Sequence, residues 1–134
     1  MSERNDGDVK DIINFWKEKA EDSLYGAVDD LNAKRYSFAV SRLYYACFYI
    51  VSALLFKNKL QFKKHSGVKS AFHLHFIKTK LISSKLGDLY DLLYFKRQKA
   101  DYVELVSFGK SEVEEWLKQA REFVDEIKKL ISEE

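Results

Sequence analysis

The chain has 134 residues, of which 46% are apolar and 33% charged, a composition that fits one folded domain with its own core and excludes a disordered protein. The single cysteine, Cys47, excludes an internal disulfide framework and a cysteine-based zinc site, and it favours a reducing compartment, so we expect a cytoplasmic protein. All 21 acidic residues lie in residues 1–30 and 88–134, whereas residues 31–87 carry eleven Lys and Arg and no carboxylate. Because a surface of one sign attracts polyanions, this pattern predicts RNA as a partner.

The pattern of apolar residues predicts an all-α fold. Proline is absent, the five glycines are widely spaced, and apolar residues recur at helical intervals through most of the chain. We expect a single domain over residues 1–134, with residues 1–7 as a frayed end. There is no leader and no run of 18 apolar residues, so neither secretion nor membrane insertion is predicted.

Three helices are predicted in the first part of the chain. The first, residues 8–32, has an apolar stripe on one side and acidic residues on the other. The second, residues 37–57, is apolar around most of its girth, so it must be covered on several sides, at the centre of a bundle, at the seam between two subunits, or both. A basic loop over residues 58–65 leads to a short third helix over residues 66–78, whose outer face carries lysines.

Two further helices complete the predicted fold. The fourth, residues 84–99, has a period that brings Arg97 onto its inner face. Ser111 and Glu114 have the Ser-x-x-Glu spacing of a capping box, which predicts the start of a last helix that ends near Ile131. The expected product is an antiparallel bundle of four to five helices with short connections.

The sequence contains no motif for a cofactor or a metal. It has no Gly-rich phosphate loop, no nucleophile elbow, no Cys-x-x-Cys pair and no Glu-x-x-His pair. His73 and His75 are two residues apart, so on a helix they point in different directions and are interpreted as surface or edge histidines. Cys47 lies on the apolar stripe of the second helix and is interpreted as a core residue.

Arg97 is the sharpest local signal, because an arginine on an inner face is costly to bury unless a partner offsets its desolvation. Asp101, four residues later, is the expected partner, and a structural ion pair at the end of the helix is the simpler interpretation. The functional interpretation is a phosphate-binding arginine, since a guanidinium binds phosphate through two parallel hydrogen bonds and stabilises developing negative charge.

His65 follows Lys63 and Lys64 in the basic loop, where a polyanion would arrive. It could act there as a general acid or base near neutral pH, and the alternative is a histidine that caps a helix or is merely exposed. We expect both lysines to bind RNA.

Three residues of the second helix are candidates for a cleft. Tyr45 and Tyr49 are predicted to lie with Arg42 on the more polar side of this helix, where aromatic rings among basic residues can stack on unpaired bases. Tyr44 is predicted to pack in the core. Arg42, Tyr45 and Tyr49 are therefore the second set of candidate RNA-binding residues.

Several segments resemble the HEPN superfamily, and within it the branch called UPF0332. They are SRLYYACF at residues 41–48, His-Ser-Gly at residues 65–67 with Phe72, and RQKADY at residues 97–102. The similarity spans about residues 10–130. It implies an antiparallel helical bundle, a two-fold dimer with the second and fourth helices near the axis, and a partner protein, a minimal nucleotidyltransferase, in a toxin–antitoxin pair.

Many HEPN proteins are metal-independent ribonucleases whose motif is an Arg followed after four to six residues by a His. Arg97 matches the Arg, but no histidine follows His75, and Tyr102 stands near the place of the missing one. A phenol is a poor proton relay at neutral pH, so His65 or a group of a second subunit would have to replace it. The resemblance also suggests Tyr102 as an acceptor of AMP, although the modified tyrosine of relatives matches Glu104 here.

These observations leave three functions open. The first is an RNA-directed toxin or endoribonuclease, with Arg97, Asp101, Tyr102 and His65 as candidate catalytic residues. The second is a non-catalytic module that binds RNA, a nucleotide or the partner protein, which the missing histidine favours. The third is a structural helical adaptor whose lysines are only a solvated face.

Overall fold

The computed structural model describes residues 6–100 and 107–132, and within these ranges it contains five α-helices, one π-helical turn and no strand. The helices are α1 (Asp6–Asn32), α2 (Tyr36–Lys57), α3 (His65–Phe72), α4 (Ser84–Ala100) and α5 (Lys110–Ser132), and the π-helical turn (His73–Ile77) continues α3. The all-α prediction is confirmed. The third element differs in detail, because His65 is the first residue of α3 rather than the last of the loop, and the helix widens at residue 73.

α2 is the centre of the bundle. It packs against α1, α3, α4 and α5, and twelve of its 22 residues are buried. Cys47 is fully buried, and burial raises the pKa of its thiol, so the interpretation as a core residue is confirmed. The other buried residues are Ala39, Val40, Leu43, Tyr44, Ala46, Ile50, Val51, Ala53, Leu54, Leu55 and Phe56.

By length and composition α2 could also cross a membrane. This stretch is not a continuous apolar run, because Arg42 and several serines interrupt it. In the fold, 61% of its most apolar window is buried against the other helices, as in the core helix of a globular domain. Packing within the bundle therefore accounts for the composition of α2.

α1 and α5 pack against α2 and against each other. The predicted apolar stripe of α1 faces the core, although its Trp16 is only partly buried. Glu21 of α1 ties the two helices together: it accepts a hydrogen bond from Arg121 Nη1 at 2.8 Å and another from Lys128 Nζ. Burial raises the pKa of this carboxyl, but the bonds and charges of Lys128 and Arg121 outweigh that effect and lower the pKa.

The start of α5 is not the predicted capping box. The first hydrogen bond of the helix runs from the Val113 N–H to the Gly109 carbonyl at 3.1 Å, so Gly109 is the N-cap. Ser111 therefore lies inside the first turn of the helix, and the prediction was wrong. Instead, buried Phe108 packs edge-on against Trp116, with ring centroids 5.9 Å apart, and fixes how the chain enters α5.

Three lysines have the left-handed backbone conformation that favours glycine. Lys34, Lys59 and Lys80 have φ angles of 63°, 62° and 65°. Lys59 stands where α2 ends: the Leu60 N–H bonds the Leu55 carbonyl at 2.8 Å and the Lys59 N–H bonds the Phe56 carbonyl at 3.0 Å, the pattern of a Schellman motif. These lysines are therefore held in a conformation that an L-residue adopts at some cost.

Replacing Lys59 by glycine should raise the free energy of unfolding by about 1 kcal/mol, because the left-handed conformation costs glycine no steric energy. The measurement is urea denaturation of both proteins. Lys63→Gly is the control, since Lys63 is an exposed lysine outside the left-handed region. This substitution should lower the free energy of unfolding. A Lys59→Gly protein that is less stable than the wild type would contradict the prediction.

Glu21→Gln should lower the free energy of unfolding at pH 7 by about 1 kcal/mol, the upper end for a partly exposed ion pair. The folded-state pKa of Glu21 lies below the usual 4.5, so its contribution is present above that value and is lost as the pH falls through the folded pKa. Denaturation at pH 7 and pH 3 checks both parts, with exposed Glu18→Gln as the control. An equal difference at the two pH values would contradict the electrostatic explanation.

Candidate functional site

Side chains of α2, α3 and α4 meet at one edge of the bundle in a group that we call the His65 cluster. Its members are Tyr44, Tyr45 and Phe48 from α2, His65 from α3 and Arg97 from α4. These three helices are held together by the buried face of α2, so the cluster rests on the rigid part of the fold. It joins the two strongest sequence candidates, which are 32 positions apart in the chain.

His65 is held on two sides. Its ring packs flat against Phe48, with centroids 4.3 Å apart and planes 7° apart, and its Nδ1 lies 2.7 Å from the Tyr44 hydroxyl. Tyr44 is fully buried, as predicted, and burial raises the pKa of its phenol, so it stays protonated at physiological pH. The orientation of the imidazole is therefore fixed by a stacked ring and a buried hydroxyl.

Arg97 lies beside this pair, and the prediction that α4 turns it inward is confirmed. Its Nη2 donates a hydrogen bond to the Tyr45 hydroxyl at 3.0 Å. Its guanidinium carbon is 5.7 Å from the ring centroid of Tyr44 and 5.4 Å from that of Tyr45, within cation–π range. Asp101 and Tyr102 lie outside the described residues, so the ion pair and the role of Tyr102 stay predictions.

The electrostatic state of His65 follows from this packing. Burial lowers the pKa of the imidazole below its usual value, and the positive charge of Arg97 lowers it further. The imidazole is also at the N-terminal end of α3, where the helix dipole disfavours a cation. His65 is therefore mainly neutral at pH 7.

The predicted RNA-binding residues do not all join the cluster. Tyr45 belongs to it, and Lys63 and Lys64 are exposed just before His65. Tyr49 lies one turn farther along α2, where it stacks on Trp16 with centroids 5.6 Å apart. The exposed lysines before His65 therefore lie next to Tyr45 of α2, through the contact of Tyr45 with His65.

Arg42 has a structural bond that the sequence analysis missed. Its Nε lies 3.3 Å from Oδ2 of Asp30, a buried carboxylate that also binds Arg35 Nε at 3.0 Å. Gly26 leaves room for this arrangement, since a Cβ there would come within 3.0 Å of the Arg42 guanidinium. Asp30 of α1 thus neutralises part of the positive charge that was predicted to bind RNA.

Tyr94 and Lys69 are neighbours of the cluster that the sequence analysis did not single out. The Tyr94 ring lies 5.9 Å from that of Tyr44, and the Lys69 ammonium lies 5.4 Å from the Tyr94 centroid. Helical spacing could have found both, because Lys69 is one turn after His65 and Tyr94 is one turn before Arg97.

The other histidines are elsewhere. His73 Nε2 lies 2.7 Å from Oδ1 of Asp91, and His75 is exposed, so the two rings do not converge on one point. Within residues 6–100 and 107–132, no three His, Cys, Asp or Glu side chains come together as they would around a metal ion.

Comparison with known proteins decides the family. The model of the HEPN domain matches residues 13–130. The chain belongs to the HEPN family. A protein of Thermotoga maritima named "UPF0332 protein" is 43% identical over 122 residues, which are 91% of this chain and 92% of that protein.

Two further relatives of this HEPN chain come from Methanocaldococcus jannaschii. The one named "Putative toxin MJ0142" is 40% identical over 85% of this chain and 78% of its own length. The one named "Putative toxin MJ0605" is 36% identical over 94% of this chain and 93% of its own length. The suspected resemblance, including the UPF0332 branch, is confirmed.

In this HEPN protein the pKa of His65 should lie below the usual value of about 6.5 and should rise in Arg97→Gln, because the substitution removes the nearby positive charge. Burial should still hold it below the usual value. An NMR titration of the imidazole Cε1–H signals measures this, with His65→Asn to assign the signal.

Lys99→Gln is the matched control, since it removes a positive charge from an exposed position of the same helix. A His65 pKa that does not move in Arg97→Gln, or that moves as far in Lys99→Gln, would contradict the electrostatic effect of Arg97 on His65.

Proposed function

We propose that this HEPN protein is a toxin-like component of a two-gene module and that the His65 cluster acts on an RNA phosphodiester. The observation that carries the proposal is that His65 and Arg97 pack against the same two tyrosines, Tyr44 and Tyr45. The HEPN ribonuclease motif needs an Arg and a His, and the chain lacks a His after Arg97. The names of two relatives support the toxin-like role, and the acid-free residues 31–87 support a polyanionic target.

The proposed reaction is a transesterification in which a 2′-hydroxyl of the RNA attacks the adjacent phosphodiester. The 2′-oxygen forms a bond to phosphorus, the bond from phosphorus to the 5′-oxygen breaks, and a 2′,3′-cyclic phosphate and a 5′-hydroxyl result. The 2′-hydroxyl loses its proton to water, and the leaving oxygen takes one from water. Arg97, always charged, binds the phosphate oxygens and stabilises the extra charge of the transition state. His65 is the second residue at the phosphodiester, and it acts through the ring nitrogen that faces away from Tyr44.

Exposed Lys63 and Lys64 would guide the strand to this site, and Tyr45 and Tyr49 would offer ring faces to unpaired bases. A homodimer, a minimal nucleotidyltransferase as partner and a cytoplasmic location are parts of the same proposal. They rest on family membership and on the single cysteine.

A non-catalytic RNA-binding or nucleotide-binding module is the second candidate. The absence of the motif histidine after Arg97 favours it. Such a module would bind RNA through Arg97 and the rings of Tyr45 and Tyr49, but it would leave the bound strand intact.

The test is incubation of purified protein with labelled single-stranded and transfer RNAs in EDTA. Wild type should give discrete products. Arg97→Ala should reduce the rate by about 100-fold or more, as for loss of a donor to a transition-state oxyanion, and His65→Asn should also reduce it strongly. Lys99→Ala, which removes an exposed charge of the same helix, should stay near the wild-type rate.

Binding measured over a range of salt concentrations separates the other outcomes. RNA that is bound with a steep salt dependence but is not cut would replace the ribonuclease by the binding module. An absence of binding at low salt would overturn both nucleic-acid functions.

A further inference from the structure

The bond between Tyr44 and His65 leaves open which nitrogen of the imidazole carries the proton. Nδ1 of His65 faces the Tyr44 hydroxyl at 2.7 Å, and either group can be the donor. If the hydroxyl donates, the neutral ring carries its proton on Nε2. If the ring donates, Nε2 is left with a lone pair and can act as a base. The direction of one hydrogen bond therefore decides what His65 can do.

Tyr90 of α4 lies next to Tyr44. Its side chain is fully buried, and its hydroxyl makes no hydrogen bond of ordinary geometry with a described residue. The Tyr90 and Tyr44 rings meet edge-on with centroids 6.0 Å apart, and each hydroxyl affects the pKa of the other. The Tyr44 oxygen is thus the acceptor toward which the Tyr90 proton can turn, and a buried donor without an acceptor is unfavourable.

The two possible chains of hydrogen bonds are not equivalent. When Tyr90 donates to Tyr44, Tyr44 donates to His65, and every buried proton has an acceptor. When His65 donates to Tyr44, the Tyr44 proton turns to Tyr90, and the Tyr90 proton is left without an acceptor. The first chain is therefore the more stable one.

We infer that Tyr44, backed by Tyr90, is a positioning residue that holds neutral His65 in its Nε2–H form, as a hydrogen-bond donor beside Arg97. The phosphate part of this inference rests on the proposed function. Because the two ring nitrogens point in nearly opposite directions, Nε2 faces away from buried Tyr44. His65 and Arg97 then form a pair of donors for the oxygens of one phosphate, and His65 is not the base of the reaction.

The surroundings favour this state. Among the described residues, the ionisable groups against His65 are Tyr44 and Tyr45 of α2 and Arg97 of α4, and Lys63 and Lys64 precede it in the chain. None of them is an anion at neutral pH. Since no anion among the described residues contacts His65, the neutral ring with a single N–H is the form that meets an incoming phosphate.

Tyr44→Phe tests the inference, because it removes only the hydroxyl and keeps the ring that stacks against His65 and Arg97. Long-range ¹H–¹⁵N spectra of the full chain at pH 7.5 report which imidazole nitrogen is protonated, independently of any RNA. Wild type should show the Nε2–H form, and Tyr44→Phe should show a mixture of both tautomers. Tyr90→Phe should also shift His65 toward a mixture of tautomers. It replaces Tyr44→Phe in the test if Tyr44→Phe does not fold.

Tyr94→Phe is the matched control, since its ring also contacts Tyr44 but its hydroxyl has no place in the proposed chain. Its His65 should remain in the wild-type tautomer. A wild-type Nδ1–H form would overturn the inference, as would an unchanged tautomer in Tyr44→Phe or, if that variant does not fold, in Tyr90→Phe.

RNA binding forms a separate arm of the test. A single-stranded RNA should bind to Tyr44→Phe several-fold more weakly at fixed salt, with the same salt dependence as wild type, because no charge is lost. If the tautomer result is as expected and RNA does not bind at all, the positioning role stands and the proposed function fails. If RNA binds equally to both proteins, the donor role of His65 at the phosphate is overturned.

Discussion

The burial of α2 is the constraint on which the rest of the structure depends. A helix that is apolar around most of its girth has to be enclosed, and four other helices enclose it. Burial on all sides leaves few ways to satisfy a polar atom on α2. The Tyr44 hydroxyl reaches the first residue of α3, and the Tyr45 hydroxyl meets a guanidinium of α4. The candidate site is therefore the place where two tyrosine hydroxyls of this apolar helix find hydrogen-bond partners on neighbouring helices.

The same constraint sorts the charges. The acidic flanks of the sequence contribute α1, most of α4 and α5. Glu21 of α1 binds Arg121 and Lys128, and Asp91 of α4 binds His73 and Lys69. One acid of α1, Asp30, reaches the basic part of the chain and binds Arg35 and Arg42. Asp30 therefore offsets part of the positive charge of residues 31–87, whereas Lys63 and Lys64 are exposed just before His65.

Local periodicity predicted much of this structure, and contacts distant in sequence account for what it missed. The five helices and the inward turn of Arg97 follow from the 3.6-residue repeat, which each segment carries by itself. The bond between Tyr44 and His65 could not be predicted, because it depends on how the loop after α2 returns to the bundle. The bond between Arg42 and Asp30 depends likewise on how α1 packs on α2. The capping-box prediction failed because Ser and Glu three residues apart recur by chance. α5 instead begins after Gly109, next to the contact of Phe108 with Trp116.

The left-handed lysines show how narrowly the electrical character of this protein is set. The chain has a formal net charge of +2, and Lys34, Lys59 and Lys80 each contribute one positive charge. With glycine, the residue that their backbone geometry favours, at all three positions, the net charge would be −1. The sign of the net charge, and with it the long-range attraction or repulsion of a polyanion, therefore depends on the lysines at these three turns. At each turn the backbone conformation favours glycine, whereas the positive charge requires lysine.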